Sequence, residues 1–581
     1  MLNGNRNIMR SPVYLSTEIK VNGNAVPQRI TPYSIEIWKE VNRIPRATII
    51  IPDGDPSGET FSVSESDWFV PGGEIEITVG YGGDRSTAFS GIITAQAIRA
   101  KSGGRNYVTV ECSDPSVKMT TVPKSRYFYD MKESEMFQSV ISEYSGLQAD
   151  VESTSYTHSE MHQYQSTDWD FVLTRADVNG LICLVNGGTI QLKKPDLSGE
   201  TVRTITFGRD LLEVDAEMDA TTQLAGVKSG SWDYSKTERS DIDGVSAGPD
   251  TPGNVSANDL ASVFQDHIKE LNSGGKLPPE IQQNWTDAKL LKHELSKVRG
   301  RVKIDGAGVN PGEWIELQGL GDRFNGRAFV SGVKHSVSDG AWSSDLQFGL
   351  SPEWFSEQFD ISPKPASGMF SAVSGLQMGI VTQLDGDPQG DERILVRISM
   401  ANAQERGVWA RIATIGAGEE RGLVFRPEIG DEVILGYIGD DPGQPVILGS
   451  VHSAAHPSPV PADDGNDMKG WKTRGGAEWM VDDSSPSVTV RLPSGRTVHM
   501  DDDSGETVIE DGDGNTIKLS SSGISIETSG DLSLKAGGDL KIEGMNVEAS
   551  ANANFKGSGS GGAELSSSGV TEVKGSLVKI N

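Results

Sequence analysis

The 581-residue chain carries 82 Asp and Glu against 52 Lys and Arg, a formal charge of −30. That balance argues against a nucleic-acid or anionic-membrane surface, and it predicts a soluble chain whose copies repel unless held in defined register. The length predicts several domains with real cores, and the 68 glycines exceed the ~7 % of an ordinary chain, much of the excess lying in the C-terminal region. MLNGNRNIMRS has no apolar h-region, and no run approaches ~18 apolar residues. The chain therefore reads as synthesised in the cytoplasm without a signal peptide or a spanning helix. Cys112 and Cys183 sit in the apolar strings VTVECS and LICLV. They read as reduced core residues, a disulfide being the alternative.

In chain order, residues 1–115 read as a small β-barrel or sandwich, taken as a β-barrel domain. VYLSTEIKVNG, SIEIWKEVN, RATIIIPDGD, EIEITVGYGG, AFSGIITAQAIRA and NYVTVECSD are alternating runs at short intervals. Residues 116–360 read as α+β, with a helix at Lys132–Tyr144 (Met136, Phe137, Val140, Ile141 at helical spacing) and another at Asp168–Val178 behind a Ser or Thr cap. Within them, 236–300 reads as an insertion: a polar Gly/Pro/Ser-rich exposed connection, then helices at about 258–272 and 279–298. Residues 361–375 are a linker. GIVTQLDGD, RILVRISM, WARIATI, EVILGYI and PVILGSV fit a five-stranded OB-fold over 376–455. A Pro- and Asp-rich linker, 456–487, follows, and WKTRGGAEWMVDDSS near its end begins the C-terminal rod.

Residues 488–581 carry the repeat. From Gly514, apolar side chains return every eight residues, with Ile524, Leu532 and Leu540 in one column and Ile526, Leu534 and Ile542 in another, continued by Val547. Such a short period predicts a β-helix. One strand per block offers too few inward side chains to close a core, so several chains must share it, most simply three. Rungs ~4.8 Å apart over roughly eleven octads give a needle on the order of 50 Å. A disordered Gly/Ser tail is the alternative for ASANANFKGSGSGG.

Recognisable chemistry is sparse. His158 and His162 lack the Glu placement of a zinc helix and read as a polar loop, while His293-Glu294 reads as a helix-surface pair. Asp511 and Asp513 imitate the start of a calcium loop but lack its later ligands. With Asp501, Asp502, Asp503, Glu506 and Glu510 they form an acidic collar. It reads as a solvated surface, or else as a place where an axial cation relieves repulsion between chains. No cofactor and no catalytic residue is predicted. Arg393, Arg397, Arg406, Arg411, Arg421 and Arg426 are the only basis for nucleic-acid binding at the barrel, which is not expected.

The string GLVFRPEIGDEVILGYIGDDPGQPVILGSVHS resembles the baseplate-V module of phage spikes and VgrG proteins. The matching residues are Pro427, Glu428, Gly430, Asp431, Glu432, Asp441, Pro442, Pro445 and Gly449. Barrel, rod and the β-rich region ahead of them follow the layout of VgrG-type spikes of contractile injection systems. The resemblance implies a mainly β, homotrimeric, non-enzymatic spike: a hub of β-barrel domains with a helical insertion, an OB-fold, and a trimeric β-helix needle that pierces the target envelope. It also implies partners: an Hcp-like inner-tube protein at the hub, baseplate and wedge proteins, effector cargo, and a PAAR-type tip protein on Leu577, Val578 and Ile580. Such a particle assembles at the baseplate and is delivered or released outside the cell on contraction. A trimeric glycan-degrading tailspike, or a trimeric adhesin, would share the shaft but not the barrel string.

Overall fold

The computed structural model describes residues 14–82, 84–264, 267–306 and 308–580, so the N-terminal stretch read above for a leader lies outside them. The chain is mainly β and divides into two compact units at Met369/Phe370.

In the first unit one 13-stranded sheet joins strands from residues 15–113 with strands from residues 201–348. Ser34–Glu40 pairs antiparallel on one side with Arg46–Pro52 and on the other with Gly326–Ser338, in register from Gly332↔Glu40 to Ser338↔Ser34. Its inward residues Ile35 and Ile37 are fully buried and share one core with Val337 and Trp342. The expected boundary at residue 115 is therefore corrected. The early strands do not close on themselves, because the Gly326–Ser338 and Ala341–Phe348 hairpin completes their sheet and caps their core.

A second core joins the helices Glu133–Ser142 and Asp168–Val178 to the strands Gln148–Val151, Ile182–Asn186 and Thr189–Lys193. Met136, Phe137, Val140 and Ile141, spaced to share one helix face, meet Phe171, Val172, Leu173 and Cys183. The second helix starts where Thr167 Oγ1 accepts from the Asp170 N–H (3.1 Å) and stops at Asn179-Gly180, whose Gly180 has φ +69°. Cys112 and Cys183 are free and lie in different cores, and burial pushes the Cys112 thiol up to about 12.

The 236–300 insertion is more structured than its composition suggests. Glu238–Asp243 and Ile268–Ser273 flank Gly226–Asp233 in a three-stranded sheet. The expected helix over 258–272 is thus corrected to a short helix, Ala257–Ser262, and a strand. Leu271 decides it, being buried with Val227 and Leu290 when IKELNS is extended. The helix Pro279–Leu295 bolts the insertion down. Gln282 and Thr286 bond Ser231 and Ser229, while the buried Lys289 reaches the Pro352 carbonyl and the Glu357 carboxylate, both at 2.9 Å.

A buried carboxylate organises the helical core. Asp168 accepts from Lys124 (2.7 Å), Arg126 (2.6 Å), the Tyr144 hydroxyl (2.6 Å) and the Gln163 amide (2.8 Å). Burial alone would raise its pKa, but these hydrogen bonds and the Arg126 charge outweigh it and hold the carboxyl below its usual range. Removing it leaves two cations facing a pocket built for an anion. Asp168→Ala should destabilise the first unit by about 2–3 kcal/mol in denaturant unfolding, less than the ~3–5 of a fully buried pair because Lys124 and Arg126 keep some water. Because the folded pKa is depressed, this stability is complete above about pH 4 and is lost as pH falls through the folded value. Asp168→Asn should accordingly flatten the acid limb of a stability–pH profile.

In the second unit, the strands Gln377–Gln383, Ile394–Ile398, Val408–Ile412, Pro445–Ser450 and Glu432–Tyr437 close a barrel in that spatial order. Val381, Ile394, Val396, Ala410, Val433, Leu435 and Ile447 fill it. Gly379 has no room for a side chain, since a Cβ there would stand 2.5 Å from Val396 Cγ1 and 2.9 Å from Leu435 Cδ1. Gly379→Ala should therefore cost about 1–3 kcal/mol by overpacking, read as a lowered melting temperature of this unit.

After the barrel comes a seven-stranded antiparallel meander from Met468–Lys472 to Gly523–Glu527. This corrects the reading of 456–487 as linker. Met468–Lys472 and Glu478–Asp482 form a hairpin closed by Thr473 N–H to the Ala477 carbonyl (2.8 Å), and it joins the strands that follow. Within one chain the first part of the expected shared β-helix is a meander of hairpins. Residues 528–580 form no ladder within one chain and are exposed, since a lone chain presents them no neighbouring strand.

Candidate functional site

The PEIGDEV loop is a knot of short hydrogen bonds. Glu428 N–H donates to the Asp431 carboxylate (2.8 Å), and Asp431 N–H donates to the Glu428 carbonyl (3.0 Å). Gly430, at φ +98°, donates to the Val381 carbonyl (2.9 Å), and Val381 N–H returns a bond to Asp431 (3.0 Å). The loop is thereby stitched to the first barrel strand, with Pro427 buried and Glu432 opening the strand that carries Val433 and Leu435. The second turn works the same way. Asp441 Oδ1 accepts from Gly443 N–H (2.8 Å) across Pro442, buried Pro445 pairs with Tyr437, and Gly449 lies opposite Ile434. These residues shape the barrel rather than react.

The meander holds the surface with functional promise. Its register aligns Trp471, Trp479, Val490, Val498, Ile509, Ile517 and Ile526 as successive cross-strand partners. Side chains two apart share a face, so a second row flanks the first: Val481, Val488, Met500, Thr507, Leu519 and Ile524. The opposite face is polar, with Lys472–Glu478 (3.2 Å), Glu478–Arg491 (3.6 Å), Lys518–Glu506 (2.6 Å) and Thr489 bonded to His499 (2.9 Å). In one chain the seven first-row residues remain 36–52 % exposed. A continuous apolar stripe across an entire sheet is a surface that needs cover. Leu532 lines the same groove as Val490, Val498, Ile509, Ile517 and Ile526, so the octad columns continue it.

The other predicted needle residues, Ile524, Ile526, Leu534, Leu540, Ile542 and Val547, are also open, as are Leu577, Val578 and Ile580. The acidic collar resolves into turn chemistry. Asp501 accepts from the N–H of Asp503 (2.9 Å) and Ser504 (3.2 Å), and Asp511 from those of Asp513 (2.8 Å) and Asn515 (3.1 Å). The Asn515 side-chain bond and these backbone bonds hold the Asp511 carboxyl below its usual range, while Asp513 is exposed. Among the described residues no group of three His, Cys, Asp or Glu converges to hold a metal.

The histidines are not brought together. His158 lies 3.4 Å from buried Glu133, whereas His162 packs edge-on against Tyr127 on the Thr157–Ser166 strand, which replaces the expected loop. His293-Glu294 is corrected from a surface pair. Burial pushes the His293 imidazole down to about 4, its Nδ1 lies 2.6 Å from the Thr222 carbonyl, and Glu294 bonds Ser246. Of the barrel arginines, Arg393 is spent on Asp387 (2.6 Å), Arg397 on the Ala403 carbonyl (2.8 Å) and Arg426 on Glu392 (2.8 Å).

Comparisons with known proteins agree with this layout. The family described as the Alg8 N-terminal domain matches residues 11–339, and the type VI secretion system/phage-baseplate injector OB domain matches 377–452. The type VI secretion system spike protein VgrG1a of Pseudomonas aeruginosa is 26 % identical over 215 residues, 34 % of this chain and 32 % of that protein. The actin cross-linking toxin VgrG1 of Vibrio cholerae is 30 % identical over 135 residues, 22 % of this chain and 12 % of that one. This chain thus covers about a third or less of the curated relatives it matches. Among solved structures, a tail protein from Neisseria meningitidis MC58 aligns at TM-score 0.43 and 13 % identity, over 59 % of this chain and 98 % of that one. The half-lidded Francisella PdpA–VgrG complex aligns at TM-score 0.41 and 9 % identity, over 90 % and 89 %. By its barrel motif and these relatives the chain is similar to the VgrG-type spike proteins of type VI secretion systems and to the injector OB domain they share with phage baseplates. The chain belongs to the Alg8 N-terminal domain family, whose match covers more than half of it.

Placing a charge in the stripe tests its role directly. A stripe covered by another copy of the chain predicts that Val498→Asp and Ile509→Asp each lower the sedimentation coefficient, while Thr489→Ala, on the polar face, leaves it unchanged.

Proposed function

We propose that three copies of this chain close their apolar stripes around one axis to form the central spike of a contractile injection system. The observation that carries this reading is the unbroken row from Trp471 to Ile526, exposed in one chain and flanked by a second row that is apolar except at Thr507. Burying it at ~25 cal/mol per Å² supplies the association energy, and the polar face then meets water. Three chains in register would also give residues 528–580 the strand neighbours that one chain lacks, extending the meander into a β-helical needle. The hub seats an Hcp-like inner tube, baseplate and wedge proteins surround it, and a tip protein covers Leu577, Val578 and Ile580.

The mechanism is transmission of force, with no bond made or broken and no cofactor invoked. Sheath contraction would drive the needle through a target envelope, carrying any effector cargo with it. Relatives named as spike proteins support the structural role. Against a glycan-degrading shaft, the collar carboxylates Asp501 and Asp511 are tied up in their own turns, and Glu506 is paired with Lys518.

Sedimentation equilibrium combined with negative-stain imaging checks the proposal. The expected particle has three times the chain mass and a stiff projection on the order of 50 Å or longer. A monomer without a projection would sink it, and hydrolysis of purified capsular or lipopolysaccharide glycans would promote the enzyme reading instead.

A further inference from the structure

In a chain this acidic, one hairpin has the opposite character. Between Asp84 and Glu111 there is no carboxylate, while Arg85, Arg99, Lys101 and Arg105 occur there. The last three crowd the exposed tip joining the strands Asp84–Arg99 and Tyr107–Ser113. None of the three forms an ion pair among the described residues. Arg99 donates to the Tyr107 hydroxyl (3.0 Å), Arg105 lies over the Tyr33 ring (5.6 Å), and Lys101 engages Asn106 only through its backbone N–H. Asp53, whose N–H bonds the Asn106 carbonyl, has its carboxylate turned to the N–H groups of Gly54, Val63 and Ser64.

The same hairpin has an open edge. The Glu74–Tyr81 strand accompanies Asp84–Arg99 only as far as Ile92, and the Gly72-Gly73 turn holds Ile93 (2.8 and 2.9 Å). After a bulge at Thr94, the strand from Ala95 to Arg99 pairs, among the described residues, on one side only, with Tyr107–Glu111. Ile98 stands exposed on this segment, and the Gln96 amide nitrogen is buried there without a hydrogen-bond partner.

We infer that the Thr94–Arg99 edge and its cationic tip dock an extended, acidic segment of a partner protein. An added strand satisfies the unpaired backbone groups, while Arg99, Lys101 and Arg105 meet its carboxylates. Charge complementarity selects this occupant. Two copies of this edge would bring like charges together, and the net charge of −30 opposes long-range attraction of a polyanion, so short acidic segments are favoured over nucleic acid. The site does not rest on the trimeric reading.

The full chain is titrated by fluorescence anisotropy with a labelled short peptide of alternating Glu and Val, and with its Lys–Val counterpart. The acidic peptide should bind, the basic one should not, and the triple variant R99E/K101E/R105E should weaken binding by about tenfold or more. R99Q/K101Q/R105Q should give an intermediate loss. All three positions are exposed, and circular dichroism melts check that each variant keeps the wild-type fold. Raising salt from ~50 to ~200 mM should weaken the wild type but hardly affect the charge-reversed protein. Amide hydrogen exchange should slow across 94–99 when the peptide is bound. Equal binding of both peptides, unchanged affinity in the folded triple variant, no protection at 94–99, or equally tight binding of an oligothymidylate would each overturn the assignment.

Discussion

A single-layer sheet has two faces and can bury neither without help, and this constraint governs the second half of the chain. Five-residue strands joined by tight Asp-led turns make a ribbon one strand deep. One face is satisfied in place by Glu478, Arg491, Lys518 and Glu506. The other, led by Trp471 and Trp479, stays more than a third exposed along its first row, with the Phe425 ring edge-on to Trp471 (5.8 Å) at its start. Hydrophobic burial is non-directional, but strand parity is not, so a covering layer must present matching columns. Copies of the same ribbon meet that demand most simply.

The first unit solves a different problem, tying a long insertion and two helices to a sheet whose strands are drawn from residues 15–113 and 201–348. It does so with buried charges. Lys289 threads between the Pro352 carbonyl, Glu357 and the Trp354 ring (4.7 Å), Lys292 meets Asp177 (2.9 Å), and Asp168 gathers two cations. Such contacts add little net energy over apolar packing but are costly to break one partner at a time. They specify how the insertion and the helices seat against the sheet.

Much of this was legible residue by residue where the signal is local. The Asp168–Val178 helix announces itself through Thr167 before it and Asn179-Gly180 after it, and the barrel string carries its own turns. What escaped was non-local. No periodicity at Ser34–Glu40 reveals that its partner begins near Gly332, hundreds of residues away. Ile268–Ser273 continues a helix-like pattern, and only contact with Val227 makes it a strand. Within each meander strand the alternation is plain, but the stripe exists only once turn lengths bring Val490 opposite Val498 and Ile509 opposite Ile517. The octad period is plain only over 514–581, and the string holding Trp471 and Trp479 reads as the start of the rod without showing that its tryptophans begin the stripe.

Strand parity in the meander also acts as an error check. If the Thr516–Ser520 strand slipped by a single residue along Glu506–Glu510, Lys518 would turn toward the stripe and Ile517 away from it. A slip of two restores the faces but leaves two residues of each five-residue strand unpaired. Misalignment is therefore quantised, and its smallest unit is already expensive. A meander built this way has no gradual route out of register.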